Sequence, residues 1–121
     1  GFIVSSNMIL TAAHCLYGRA PYDVQVLTKV HDVRRFTGDR HEIDKWFVHP
    51  EFRFNSTSYL NDIALVKVHP AFTADLQPAC LPIGLSSMYP PPATAAVVAG
   101  WGRTGSKGIF SNTDVVQHVV M

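Results

Sequence analysis

Short runs in which apolar and polar residues alternate recur along the chain, and no stretch carries the three-and-four spacing of an amphipathic helix. Val24-Gln25-Val26-Leu27 and the stretch Ile43 to Val48 fit strands with one buried face. Ile63-Ala64-Leu65-Val66-Lys67-Val68 fits a buried strand that turns its lysine to water. Gly18, Pro21, Gly38, Pro50 and the polar run Asn55-Ser56-Thr57-Ser58 fall between these runs as turns. Short strands at this spacing predict an all-β fold of barrel type.

From Pro70 to Ala93 the texture changes. Pro70, Pro78, Pro82, Pro90, Pro91 and Pro92 oppose a regular strand or helix there, so the segment reads as a connector lying on a surface. Thr94 to Ala99 and Val115 to Val120 return to apolar, strand-like runs around the turn-rich Gly100-Trp101-Gly102 and Gly105 to Thr113. The expected organisation is a first β-barrel over 1–69, a connector over 70–93 and the beginning of a second β unit over 94–121.

Composition narrows the class. With 121 residues, 47% apolar and 16% charged, the chain has the make-up of a folded domain and not of a disordered one. Its net charge is +1, and its basic residues are scattered apart from Arg34-Arg35 and the nearby Arg40. That is no footprint for nucleic acid or an anionic membrane, which call for clustered Lys and Arg. No apolar run has the length of a bilayer span. Gly1 already stands inside an apolar run, so the start of the domain is expected upstream of it.

Two short words carry the chemistry: Thr11-Ala12-Ala13-His14-Cys15 and Asn61-Asp62-Ile63-Ala64-Leu65. Amide hydrolysis at neutral pH needs a nucleophile activated by an imidazole, and an imidazole held in one tautomer by a carboxylate. His14 and Asp62 can supply the imidazole and the carboxylate, provided that a fold brings them together. Ala12 and Ala13 are small enough for the backbone to pass beneath the imidazole, while Ile63, Ala64 and Leu65 should shield the carboxylate from water. Taken singly, a His beside a Cys fits a packed core and an Asp opening a strand fits a turn. Other chemistries fit less well. His41-Glu42-Ile43-Asp44-Lys45 has Lys45 where a zinc-protease helix needs its second histidine. The six histidines show no ligand spacing to Cys or carboxylate, so no metal or other cofactor is expected. Cys15 is a poor nucleophile candidate for His14, because adjacent side chains usually diverge.

The two words resemble the histidine and aspartate motifs of the chymotrypsin/trypsin-like serine protease family. Three further matches follow in order. His49-Pro50-Glu51-Phe52 is similar to a family turn, Gln77-Pro78-Ala79-Cys80-Leu81-Pro82 to its inter-barrel connector, and Ala99-Gly100-Trp101-Gly102 to the opening of its second barrel. The resemblance covers essentially the whole chain. It implies a trypsin-like double β-barrel, of which these residues form the first barrel and the start of the second. His14 and Asp62 are then two members of a His-Asp-Ser triad, with the serine about 90 residues beyond the aspartate, past Met121. Serine, oxyanion hole and primary specificity pocket are accordingly expected C-terminal to these residues and the zymogen activation site N-terminal to them, so that residues 1–121 alone hydrolyse no peptide. The family's calcium loop would fall between Val26 and His41, where Thr28 and Gly38 replace its glutamates, so calcium is not implied.

The two cysteines allow a Cys15–Cys80 bridge or two free buried thiols. The resemblance implies otherwise: Cys15 pairs with a cysteine just upstream of Gly1, and Cys80 with a pro-segment or light chain of the same protein. Such pairing places the protein in a secreted, extracellular setting. Ala96 stands where the family usually has a bridging cysteine, a loss typically worth about 2–5 kcal/mol unless packing replaces it. Asn55-Ser56-Thr57 has the form of a glycosylation acceptor, with a plain polar loop as the alternative. The function implied is a serine-type endopeptidase acting on protein or peptide substrates. Its alternatives are a non-catalytic protease homologue that serves as a binding or cofactor protein, and an unrelated secreted β-rich interaction domain.

Overall fold

The computed structural model describes residues 1–85, 88–104 and 111–121. Positions 86 and 87 of the expected connector, and Gly105 to Phe110 of the turn-rich stretch, lie outside the described residues. Strands dominate: β1 (Phe2–Ile3), β2 (Met8–Thr11), β3 (Val26–Thr28), β4 (Asp39–Val48), β5 (Arg53–Phe54), β6 (Tyr59–Leu60), β7 (Ala64–His69), β8 (Val97–Gly100), β9 (Arg103–Thr104), β10 (Ser111–Asn112) and β11 (Gln117–Val120). Three single-turn 3₁₀ segments, Ala13–Cys15, Pro21–Asp23 and Val33–Arg35, complete the regular structure, and no α-helix occurs among the described residues. The fold is β-based, in keeping with a partial trypsin-like barrel.

The chain forms two compact units, one of residues 1–28 and 39–81 and the other of 29–38 and 82–121. The first contains a curled antiparallel sheet in the order β1-β2-β7-β4-β3. β7 lies at its centre because alternate residues Ala64, Val66 and Val68 are buried, as a half-buried strand requires. They join Ile9, Ala13, Leu16 and Phe72 in one core, flanked by Val26, Ile43, Trp46 and Val48. Lys67 points out to the Asp44 carboxylate, 3.3 Å away.

β4 begins at Asp39, four residues earlier than the apolar pattern indicates. Its first part is held by pairing with β3 from Val26↔His41 to Thr28↔Asp39. A bulge between Ile43 and Lys45 then shifts the register against β7, so Asp44 and Lys45 both face out while Trp46 and Val48 return inward. His41 is only 2% exposed. Its Nδ1–H donates to the Pro70 carbonyl at 2.8 Å, the Thr28 hydroxyl lies 3.0 Å from its Nε2, and Phe72 meets its ring edge-on. This histidine is a structural staple that fastens the beginning of the connector to β3 and β4. Further on, Phe72 N–H donates to the Ser6 carbonyl and Ala79 N–H to that of Ile3, both at 2.8 Å.

Gly1 packs where a side chain would not fit. A Cβ there would lie 2.7 Å from the Leu10 carbonyl oxygen and 2.8 Å from the Ile9 side chain, so glycine lets the first residue lie against β2.

In the second unit, β8 and β11 pair antiparallel from Gln117↔Gly100 to Val120↔Val97, and β9 pairs with β10. Residues 29–38 are tied in by an Asp32↔Val115 bridge, by Val33 N–H to the Asp114 carbonyl at 2.9 Å, and by Trp101 Nε1–H to the His31 carbonyl at 3.1 Å. Val97, Val98, Val119 and Val120 are all at least half exposed.

Candidate active site

Sheet topology accounts for how two words 48 residues apart meet. β2 and β7 run antiparallel with Thr11 opposite Ala64, so the end of β2 and the start of β7 lie at one edge of the sheet. His14 follows three residues after Thr11, and Asp62 precedes Ala64 by two.

Beyond β2 the backbone is extended at Ala12 and then curls into the Ala13–Cys15 turn, with Leu16 N–H and Tyr17 N–H both donating to the Ala13 carbonyl at 3.0 Å. Ala13, the first residue of this turn, is completely buried and belongs to the core. On the other side, Asn61 adopts a left-handed φ of 52°, a conformation that asparagine tolerates better than most residues. Its Nδ2 donates to the Glu51 carbonyl at 3.1 Å, and Ile63 N–H donates to the Asn61 carbonyl at 2.8 Å. Glu51 is itself held by the His49-Pro50-Glu51-Phe52 turn, where Phe52 N–H donates to the His49 carbonyl and Glu51 N–H to His49 Nδ1. That turn thus supports the residue that aims Asp62.

Asp62 grips His14 at two points. Oδ2 lies 2.6 Å from Nδ1 and Oδ1 accepts the His14 backbone N–H at 2.8 Å. A carboxylate on Nδ1 makes that nitrogen the donor, so the neutral ring presents the lone pair of Nε2 outward. Partial burial pushes the Asp62 carboxyl up, but the His14 N–H, the imidazole and the Ala13 N–H outweigh it and hold the group below its ordinary value of 3.8. The imidazole is 46% exposed and the carboxylate 22%. Of the three residues expected to shield the carboxylate, Ile63 is 42% exposed, Ala64 is buried and Leu65 is half-buried.

Aromatic residues complete the surroundings, and of them only Phe52 belongs to a motif. The Tyr59 ring lies 5.0 Å from the imidazole, tilted by 31°. Tyr59 pairs across the β5–β6 hairpin with Phe54. Phe54 contacts Tyr17 at 4.9 Å, and Tyr17 also meets Phe52 edge-on. Rings from the His14 turn, the hairpin and the preceding turn therefore brace one another. The signal available in the sequence is the number of aromatic residues within a few positions of each motif.

Cys15 and Cys80 are both exposed and are not bonded to each other, so neither the Cys15–Cys80 bridge nor the pair of buried thiols is found. The Cys15 side chain does not diverge from its neighbour as expected. Its Sγ lies 3.7 Å from His14 Nε2, because a 3₁₀ turn separates successive side chains by about 120°, not the 180° of a strand. Cys80 lies in a segment without strands. Asn55 sits at the exposed tip of the β5–β6 hairpin. No cluster of three His, Cys, Asp or Glu side chains suited to a metal ion occurs among the described residues.

Comparison with known proteins gives this geometry a context. The sequence model of the Trypsin family matches residues 1–121. Chymase from Papio hamadryas is 35% identical over 121 residues, covering 98% of this chain and 46% of that protein. Chymase from Rattus norvegicus and mast cell protease 2 from Meriones unguiculatus are each 32% identical over 115 residues, covering 93% of this chain and 44% of theirs. The chain spans less than half the length of these relatives.

Proposed function

Because the chain belongs to the trypsin family, we propose that the whole protein is a serine endopeptidase in which His14 is the general base and acid and Asp62 its orienting carboxylate. The observation that carries this reading is the double grip of Asp62 on His14, through Nδ1 at 2.6 Å and the backbone N–H at 2.8 Å. It fixes both the tautomer and the ring position, as the mechanism demands. Nε2 then takes the proton of a serine hydroxyl as that oxygen attacks the scissile carbonyl. The resulting imidazolium is stabilised by Asp62 and returns its proton to the leaving amine. A water molecule repeats the sequence to release the acyl group.

The serine and the backbone donors of the oxyanion hole belong to the part of the domain that follows Met121, and residues 1–121 alone hydrolyse no peptide. Tyr59 covers one side of the imidazole and so limits its rotation away from Asp62. Cys80 joins a pro-segment or light chain of the same protein, a role supported by its exposed position in the strand-free segment. The protein is secreted, as this use of cysteine requires.

Cys15 is the competing nucleophile, since its Sγ stands 3.7 Å from Nε2. Kinetics on the activated full-length protein distinguish the two. The serine reading predicts peptide hydrolysis that His14→Ala abolishes, phenylmethylsulfonyl fluoride inhibits and iodoacetamide leaves intact. Inhibition by iodoacetamide alone would transfer the chemistry to Cys15. A folded, processed protein without hydrolysis would make it a non-catalytic homologue.

A further inference from the structure

The β5–β6 hairpin ends in the loop Asn55-Ser56-Thr57-Ser58, all four residues exposed. Within it, Asn55 Oδ1 accepts hydrogen bonds from Thr57 N–H and the Thr57 hydroxyl at 3.0 Å each, from Ser58 N–H at 2.9 Å and from the Ser58 hydroxyl at 3.3 Å. All four donors go to the oxygen, and Nδ2 takes no part in the turn. The triplet Asn-Ser-Thr is therefore displayed on an open tip, with its threonine hydroxyl on the acceptor carboxamide and its amide nitrogen directed to neither.

The tip also borders the candidate active site. Asn55 lines an open groove of about 430 Å³ together with Tyr17, Phe52, Phe54 and Leu60. Phe54, its chain neighbour, stacks on Tyr59 at 6.4 Å, and Tyr59 in turn lies against the His14 imidazole. A group attached at Asn55 is thus two ring contacts from the residue that handles the proton. The exposed faces of Tyr17 and Phe54 offer the C–H faces of a sugar a surface to rest on.

The geometry points to Asn55 as an N-glycosylation site whose glycan occupies the rim of this aromatic groove and restricts the approach of folded protein substrates to His14. In the transfer, Asn55 Nδ2 displaces the diphosphate of a lipid-linked oligosaccharide from the anomeric carbon. A C–N bond forms, the C–O bond to the diphosphate breaks and the amide loses a proton. The access role rests on the protease reading, whereas occupancy of Asn55 does not.

The test uses the full-length protein secreted from eukaryotic cells, compared before and after peptide-N-glycosidase treatment of the folded, activated enzyme, and alongside Asn55→Gln and Thr57→Ala. Peptide mapping should find an N-linked glycan on Asn55, absent from both variants. Removing the glycan should leave kcat/KM on a short peptide unchanged and raise that on a folded protein substrate by roughly threefold or more. An unmodified Asn55 in the secreted protein would overturn the site. Equal rates on the folded substrate with and without the glycan would overturn the access role. An occupied Asn55 on a protein inert toward the short peptide would uphold the site and count against the protease reading.

Discussion

Replacing Asn61 separates backbone conformation from hydrogen bonding at the residue that aims Asp62. Asn61 sits at φ 52° and donates to the Glu51 carbonyl at 3.1 Å. Alanine in this left-handed region costs about 1–2 kcal/mol, of which asparagine's tolerance spares a part. The lost side-chain bond, at an exposed position, adds about 0.5–1 kcal/mol. Asn61→Ala should therefore destabilise the protein by about 1–2.5 kcal/mol. Asn61→Gly adopts the same φ freely and loses only the bond, together with the extra unfolded-state entropy of glycine, for about 1 kcal/mol. Activity should follow the same order. The alanine variant relieves its strain by moving Asp62, and a displacement near 1 Å costs up to roughly 10²-fold in kcat, whereas the glycine variant retains most of the rate. Urea unfolding of the full-length protein and peptide kinetics on its activated form measure both effects. Equal damage from the two substitutions would refute the conformational argument. Neutral behaviour of both would show that the Glu51 turn does not position Asp62.

Three other outcomes follow from the same geometry. Asp62→Asn leaves one oxygen for the two His14 donors and sets an amide N–H in place of the other, which favours the wrong tautomer, so kcat should fall by roughly 10⁴; a loss under tenfold, in the same peptide assay, would contradict the orienting role. Since the Asp62 carboxyl is held below 3.8, the stabilisation it gives is fully present above that value and is lost as the pH falls through the folded-state midpoint. Carbon-detected NMR of the Asp62 carboxyl should find its midpoint under 3.8, and a midpoint above it would contradict the hydrogen-bond pattern. Val66, 2% exposed between Ile9 and Trp46 on the central strand, loses two buried methyl groups on change to Ala. At about 0.8 kcal/mol each with a cavity contribution, Val66→Ala should cost about 2–3 kcal/mol in urea unfolding, and a change below about 0.5 kcal/mol would remove Val66 from the core.

The run from Ala64 to Val68 is legible as the buried strand because alternation of Ala, Val and Val with Leu and Lys is what a central strand needs. The start of β4 is not, because Asp39, Arg40, His41 and Glu42 carry no apolar alternation, and their strand form depends on pairing with β3 and on the burial of His41. The bulge at Asp44 is hidden for a related reason: two successive outward residues look like a broken pattern until the partner strand supplies the register. His14 and Asp62 are singled out by the words around them, and the fold brings them together. Tyr59 escapes notice because its value lies in a ring contact with His14, 45 residues away, and a contact between distant segments does not single out one aromatic residue in the sequence. The proximity of Cys15 to Nε2 runs against the expected divergence because that expectation holds for an extended backbone, whereas a 3₁₀ turn forms there.

The most direct test of the account is active-site labelling of the full-length, activated protein with a fluorophosphonate probe, followed by mass spectrometry of the modified peptide. A label is expected on a serine C-terminal to Met121, lost on His14→Ala and strongly slowed by Asp62→Asn. A label that persists without His14, or a folded and processed protein that takes no label, would contradict it.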